Sequence, residues 1–304
     1  MSVAVRPVSR VRLASRRAGA APRLIHRVVL YVLVAALAGW VLGPFVWLFV
    51  TSVSYQRNLL ARPFTLIPPE ITTENYRMIF GLVRFHAEVQ AARILPALLN
   101  SVLVAGAVTA LNLVIGSAAG YAYARCAFSL KRVSLYLILF TRMLPTIVLM
   151  PAFFLMLRSF GLQNTLTGLA IAYSSFTLPF TVWIMQSYFD TIPRDIEGSG
   201  LVDGCTRLQV YRRIVLPMSG PGLVASGAFT FMLCWNEFVI AQVLNSKPTS
   251  TTLPPIIAGM MGQANIDYSV IAASGFLSAL PAVLLAVVFQ RYMVQGLTAG
   301  SVKG

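Results

Sequence analysis

Six runs of apolar residues alternate with polar segments along this chain: Val28–Val50, Leu95–Tyr121, Val133–Leu157, Leu166–Tyr188, Gly222–Leu244 and Val270–Met293. Each is long enough to cross a bilayer. The first has 23 residues and makes a helix of roughly 35 Å at ~1.5 Å per residue, against a hydrocarbon core of ~30 Å. A spanning segment must satisfy its own backbone in lipid, and single runs of this length do so as helices. The pattern predicts an all-α integral membrane protein: a six-helix transmembrane domain over 28–293, a basic arm at 1–27 and a tail at 294–304. The first run is too long for a signal peptide, and no small-residue cleavage site precedes the next polar loop. It reads as an uncleaved helix, and the Arg/Ala/Ser-rich arm before it reads as disordered.

The loop between the fourth and fifth runs, residues 190–222, is the one charged island between apolar runs. It holds Asp190, Asp195, Glu197 and Asp203 together with Arg194, Arg207, Arg212 and Arg213. Pro193 suits the first turn of a helix, and Asp195 and Glu197 then lie near the positive end of its dipole. Asp203-Gly204 marks a break, and Arg207 to Val215 reads as a second short helix stopped by Pro217. A helix–turn–helix lying on a membrane is a plug offered to a soluble partner.

Composition agrees with lipid as the solvent. Hydrophobic residues are 57% and charged residues 11%, where a soluble domain carries about 25% charged. The net charge of +15 does not indicate nucleic acid, because the basic residues stand at the ends of apolar runs instead of along a soluble face. Their placement sets an orientation. Arg6, Arg10, Arg12, Arg16, Arg17, Arg23, Arg27, Arg125, Lys131, Arg132, the four island arginines, Arg291 and Lys303 make sixteen on one side. Arg57, Arg62, Arg77, Arg84, Arg93, Arg158 and Lys247 make seven on the other. The positive-inside rule puts both termini and the island in the cytoplasm. The loop 51–94 is then external, and its segment Pro68–Phe80 reads as a short helix entered at Thr72/Thr73. Cys126, Cys205 and Cys234 are odd in number and far apart, with no metal-ligand spacing.

Much chemistry is missing. No phosphate-binding G-x-x-x-x-G-K-[ST] occurs, so this chain has no P-loop for ATP. Gly198, Gly200 and Gly204 have the wrong spacing for a dinucleotide fingerprint, and no strand precedes them. His26 and His86 fall on opposite sides, which leaves no histidine cluster for a metal or proton relay. Two ionisable residues do lie inside apolar runs, Arg142 and Glu237, at roughly 2.5–3.5 kcal/mol each on insertion scales. With Asn236 they are candidates for a solute pathway or gate; the other reading is a structural ion pair, or a Glu237 that reaches the outer interface. Asn100, Ser101, Thr109 and Asn112 give the second run a polar side, and Gly116 and Gly120 have the spacing that lets helices approach closely. Pro145, Pro151, Pro179 and Pro281 interrupt the third, fourth and sixth runs.

The island resembles the EAA loop of permease subunits from bacterial ATP-binding-cassette (ABC) importers. That pattern is close to P-x-E-L-E-E-A-A-x-x-D-G-A followed by I-x-L-P. Here Pro193, Asp203-Gly204 and Ile214-Val215-Leu216-Pro217 match, while the E-A-A triplet is replaced by Gly198-Ser199-Gly200, leaving Glu197 as the nearest acid. Trp235-Asn236-Glu237-Phe238, Glu74-Asn75-Tyr76 and the ending Gly296-Leu297-Thr298-Ala299-Gly300-Ser301-Val302-Lys303-Gly304 are similar to the carbohydrate-uptake group, and within it to the second, maltose-type permease subunits. The resemblance implies a type I importer transmembrane domain in a bacterial inner membrane, passing sugars or sugar-like solutes. It implies a heterodimer with a second permease subunit, two ATPase subunits that hold ATP and Mg, and an extracytoplasmic solute-binding protein. This chain would be no enzyme and would bind no cofactor. The residues implied in ATPase coupling are Asp195, Glu197, Gly198, Ser199, Gly200, Asp203, Gly204, Arg207 and Pro217. The rival is a secondary transporter driven by an ion gradient, for which Glu237 is the main support.

Overall fold

The computed structural model describes residues 20–63, 65–82, 91–262 and 266–299, with side chains from residue 26 to residue 290. The described residues fold into helices: α1 (Ala20–Ser52), α2 (Gln56–Leu59), α3 (Glu74–Ile79), α4 (Ala91–Arg125), α5 (Lys131–Phe140), α6 (Thr146–Ser159), α7 (Leu166–Phe189), α8 (Arg194–Val202), α9 (Arg207–Val210), α10 (Leu216–Met218), α11 (Gly220–Trp235), α12 (Val239–Leu244), α13 (Leu253–Met260) and α14 (Tyr268–Ala299). Among them the sole β pairing is a single antiparallel bridge, Ser54 with Ile71. The chain divides into two units, residues 1–47 and 48–304. In the first, residues 28–47 are apolar and exposed on every face, the pattern of a helix whose solvent is lipid.

In the second unit α4 is the axis. It lies against α7 and α11, and the contact with α7 is close because Gly116 and Gly120 face it. A methyl group on Gly120 would stand 2.9 Å from the backbone nitrogen of Gln186 and 3.1 Å from the carbonyl oxygen of Val182. The helices touch nearly backbone to backbone, as the glycine spacing predicts. Asn112 donates to the Thr177 hydroxyl at 2.6 Å across the same interface, and Thr181 and Thr230 share a hydrogen bond of 3.0 Å between α7 and α11. An apolar core of Val104, Val108, Leu169, Tyr173, Ile240 and Leu244 continues from this seam.

The two ends of α4 gather different loops. Near its start, Asn100 donates to the carbonyls of Thr249 and Thr251, and the Ser101 hydroxyl accepts from the backbone of Leu253. On that side Asn75 donates to the carbonyls of Ser52 and Ser54 and accepts from Ser269, which makes it a clamp between the end of α1 and the start of α14. The polar side of the second run thus holds loops. Thr73 is the residue before α3 as expected, but the hydroxyl that accepts from Glu74 is that of Thr72.

Several expectations need correction. Four of the six runs are single helices, α1, α4, α7 and α14, whereas the third is the pair α5–α6, bent by 98°. The break falls at Thr141–Met143, a 3-10 turn, with Pro145 in extended geometry ahead of α6. Pro151, Pro179 and Pro281 lie inside continuous helices, since lost backbone bonds in a spanning helix are re-satisfied locally. The fifth run ends as a long helix at Trp235 and resumes at Val239. The basic arm was expected to reach residue 27, yet helix begins at Ala20; residues 1–19 lie outside the described residues. The tail expected from residue 294 is helical as far as Ala299, and residues 300–304 also lie outside.

Candidate functional site

The island folds as a helix pair docked under α4 and α7. Helix α7 ends at Phe189, and α8 starts after Pro193, whose φ of −59° and ψ of 134° turn the chain into it. At the far end of α8 the Cys205 N–H reaches the Gly200 carbonyl at 3.0 Å, and the Gly204 N–H reaches that of Leu201 at 3.1 Å. With Gly204 at φ +84° this is a Schellman ending, which requires the left-handed conformation at that residue. Helix α9 then opens with a capping box: the Thr206 hydroxyl accepts from the Gln209 backbone, and the Gln209 side chain accepts from the Thr206 N–H.

The second arm differs from expectation in one respect. Pro217 does not stop it. The chain passes from α9 through a π turn, Tyr211–Val215, into α10, which contains Pro217; the 77° bend to α11 comes after Met218. A proline ring presses on the carbonyl four residues back, here that of Arg213, and the widened π turn gives it room.

The pair has a core of its own. Ile192, Val210 and Val215 are buried with Ala124, Met185 and Phe189, and Tyr121, Tyr188, Tyr211 and Ile214 pack around them. The Tyr121 ring lies 4.9 Å from that of Tyr211 and 5.8 Å from that of Phe189. Gly200 is where the two arms meet, and a methyl group there would come 2.6 Å from Cδ1 of Ile214; at Gly198 it would meet nothing.

Of the nine residues proposed for ATPase coupling, Asp195, Ser199, Asp203, Gly204, Arg207 and Pro217 are exposed, and Gly198 is half-buried. Gly200 and Glu197 face inward. Glu197 Oε1 pairs with Arg125 Nε at 2.5 Å, with side-chain exposures of 10% and 6% respectively. Its Oε2 accepts from the Tyr121 hydroxyl at 2.9 Å, and the Arg125 guanidinium also donates to the Ile192 carbonyl at 2.7 Å. Breaking one side of such a buried pair costs about 3–5 kcal/mol, because the other charge is left uncompensated. Ser117, Tyr121 and Arg125 were not among the candidates, although their i, i+4, i+8 spacing on one face of a helix was a readable signal. The Ser117 hydroxyl hydrogen-bonds the Tyr211 hydroxyl at 2.9 Å.

Arg142 and Glu237 come together in a different place. Both line a recess of about 120 Å³, with Thr146, Tyr173, Thr177 and Cys234. No ion pair joins them among the described residues. Arg142 donates to the Phe176 carbonyl at 2.6 Å, and Glu237 accepts from the Ile240 N–H at 2.8 Å, capping α12. Each stands at a helix break, not within a continuous span, which is how ionisable groups and non-helical backbone are tolerated at membrane depth. Asn236 is exposed and donates back to the Met232 carbonyl at 2.9 Å.

A family model for the inner membrane component of binding-protein-dependent transport systems matches residues 112–299, which include the island, its docking face and the recess. The chain belongs to that family. It is 34% identical to the sulfoquinovosyl glycerol transport system permease protein of Agrobacterium fabrum, over 86% of this chain and 89% of that one. It is 33% identical to the trehalose transport system permease protein of Mycobacterium tuberculosis, over 90% and 96%. A bacterial ABC transporter involved in alginate import has a chain with a TM-score of 0.73 at 20% identity, covering 90% of this chain and 98% of its own. The protein is thus a multi-pass permease of the inner membrane, a transport component and not an enzyme. Membership in a binding-protein-dependent system decides against the secondary-transporter reading.

Proposed function

We propose that this permease forms half of a translocation pathway for a sugar or glycoside, with a second permease subunit, two ATPase subunits and an extracytoplasmic binding protein. The saccharide class is supported by the relatives named for sulfoquinovosyl glycerol and for trehalose. The observation that carries the ATPase role is the tip of the docked helix pair. Around the Gly204 turn, Val202 is 88% exposed, Leu208 63% and Leu201 43%, flanked by Asp203 and Arg207. Apolar side chains held out on a rigid, charged rim are what a groove in a soluble partner would bury. ATP-driven movement of that partner would push the pair as a lever and tilt the spans that it is docked on. The pair then lies on the cytoplasmic side, along with both termini.

Arg142 and Glu237 fit a gate or a solute contact on this pathway better than a structural pair, since they share a polar recess without neutralising each other. The deciding experiment for the whole reading is purification of the tagged permease in mild detergent with its neighbours co-expressed. Recovery of an ATPase in twofold ratio to each permease is expected. Recovery of the permease alone, with sugar uptake that follows an ion gradient, would overturn it.

A further inference from the structure

Helix α8 carries the island's exposed face, yet little holds it in place. Its two buried residues are Gly200 and Glu197, so Glu197 supplies its one buried side chain. That carboxylate is bound by Arg125 at 2.5 Å and Tyr121 at 2.9 Å, both on α4. Arg125 also grips the Ile192 carbonyl just ahead of α8, and two turns earlier on α4 Ser117 holds Tyr211 of the second arm. A single stripe on α4, at i, i+4 and i+8, therefore ties down both arms of the pair.

We propose that Arg125, Tyr121 and Glu197 are positioning residues that lock α8 to α4, so that displacement of the helix pair becomes displacement of the span instead of a swing of α8 about its Gly204 turn. This rests on the coupling role proposed above. The acid nearest the missing E-A-A triplet thus faces inward, where its charge serves the permease's own rigidity. Compact interfaces held by buried charge pairs have few intermediate arrangements, which suits a lever.

The test uses the assembled complex with the three cysteines replaced by alanine and spin labels at Arg194 on α8 and Ala118 on α4, both exposed. The parent should give one narrow label-to-label distance, unchanged by ATP with vanadate. Glu197→Gln and Arg125→Gln should each broaden that distance and make it shift with nucleotide, while the ATPase stays bound at the parent ratio. Tyr121→Phe, which leaves the ion pair, should do less. The exchanged pair Arg125→Glu with Glu197→Arg should narrow the distance again, a rescue that mere loss of folding would not show. A parent distance that itself changes with nucleotide would overturn the lock, as would single variants indistinguishable from the parent. Loss of the ATPase in Glu197→Gln but not in Arg125→Gln would instead make Glu197 a direct contact. Should no ATPase bind the parent at all, the coupling role fails separately, and the same distances in the permease alone still report whether Glu197 holds α8.

Discussion

At the scale of single residues, the island separates what sequence can show from what it hides. Asp-Gly between two helical patterns announced the turn, and Gly204 does adopt a left-handed φ of +84°. Nothing lies within 4 Å of a methyl group built there, so the constraint within this chain is conformational and not steric. A non-glycine residue at such a φ costs roughly 1–2 kcal/mol, least for Asn and most for a β-branched residue. Gly204→Asn should keep transport near the parent level, whereas Gly204→Val should lose most transport and most bound ATPase while still inserting. Equal uptake by both variants would show that coupling does not depend on the left-handed backbone at residue 204. Gly198 and Gly200 divide in the same way: Gly198→Ala meets open space and should raise the melting midpoint of the complex, adding about 0.5–1 kcal/mol to α8. Gly200→Ala must first displace Ile214 and should show no such gain. The inward turn of Glu197 was hidden, because an acid in the first turn of a short polar helix has every reason to be solvated. What betrays it lies elsewhere in the sequence, in Ser117, Tyr121 and Arg125.

At the scale of elements, length and hydropathy found the helices and the glycine spacing found their tightest seam, but neither found the breaks. Apart from Arg142 the residues flanking Thr141–Met143 are apolar, and apolar character resumes within three residues of Trp235, so a window-averaged hydropathy sees two ordinary spans. Four prolines offered themselves as break points, and only Pro145 stands at one, because the others keep helical neighbours on both sides. The α4–α7 seam gives the sharper test. At Gly120 the obstacles are the Gln186 backbone nitrogen and the Val182 carbonyl, which cannot rotate aside as a side chain would. Gly120→Ala should therefore destabilise by about 1–3 kcal/mol, read as a lower thermal midpoint in detergent. Gly106, on the same helix with open space around it, provides the control: Gly106→Ala should be neutral or slightly stabilising. Matching midpoints for the two variants would show that the helices sit farther apart than the structure has them.

At the scale of the molecule, the sequence supplied a sidedness that the fold can be tested against. Loops read as external from their sparse basic residues gather at the start of α4, where Asn100 and Ser101 hold residues 249–253. The arginine-rich island gathers at the other end, on Arg125. Asn100 and Arg125 are 25 positions apart, about 38 Å along a helix, which exceeds the ~30 Å hydrocarbon core. Separated by that distance, the two loop sets are expected on opposite faces of the bilayer, and the charge bias predicts the island's face to be the cytoplasmic one. Pro69 and Ser199 are both exposed, so a cysteine at either position is open to reagent, and labelling reports side alone. An impermeant maleimide added to intact cells should label Pro69→Cys and leave Ser199→Cys untouched; permeabilised cells should label both. Cys126 and Cys205, each partly exposed at the island end, should follow Ser199→Cys and react only after permeabilisation, which tests the same assignment without any substitution. Reaction of Ser199→Cys in intact cells would invert the molecule, and with it the face on which an ATPase could meet the helix pair.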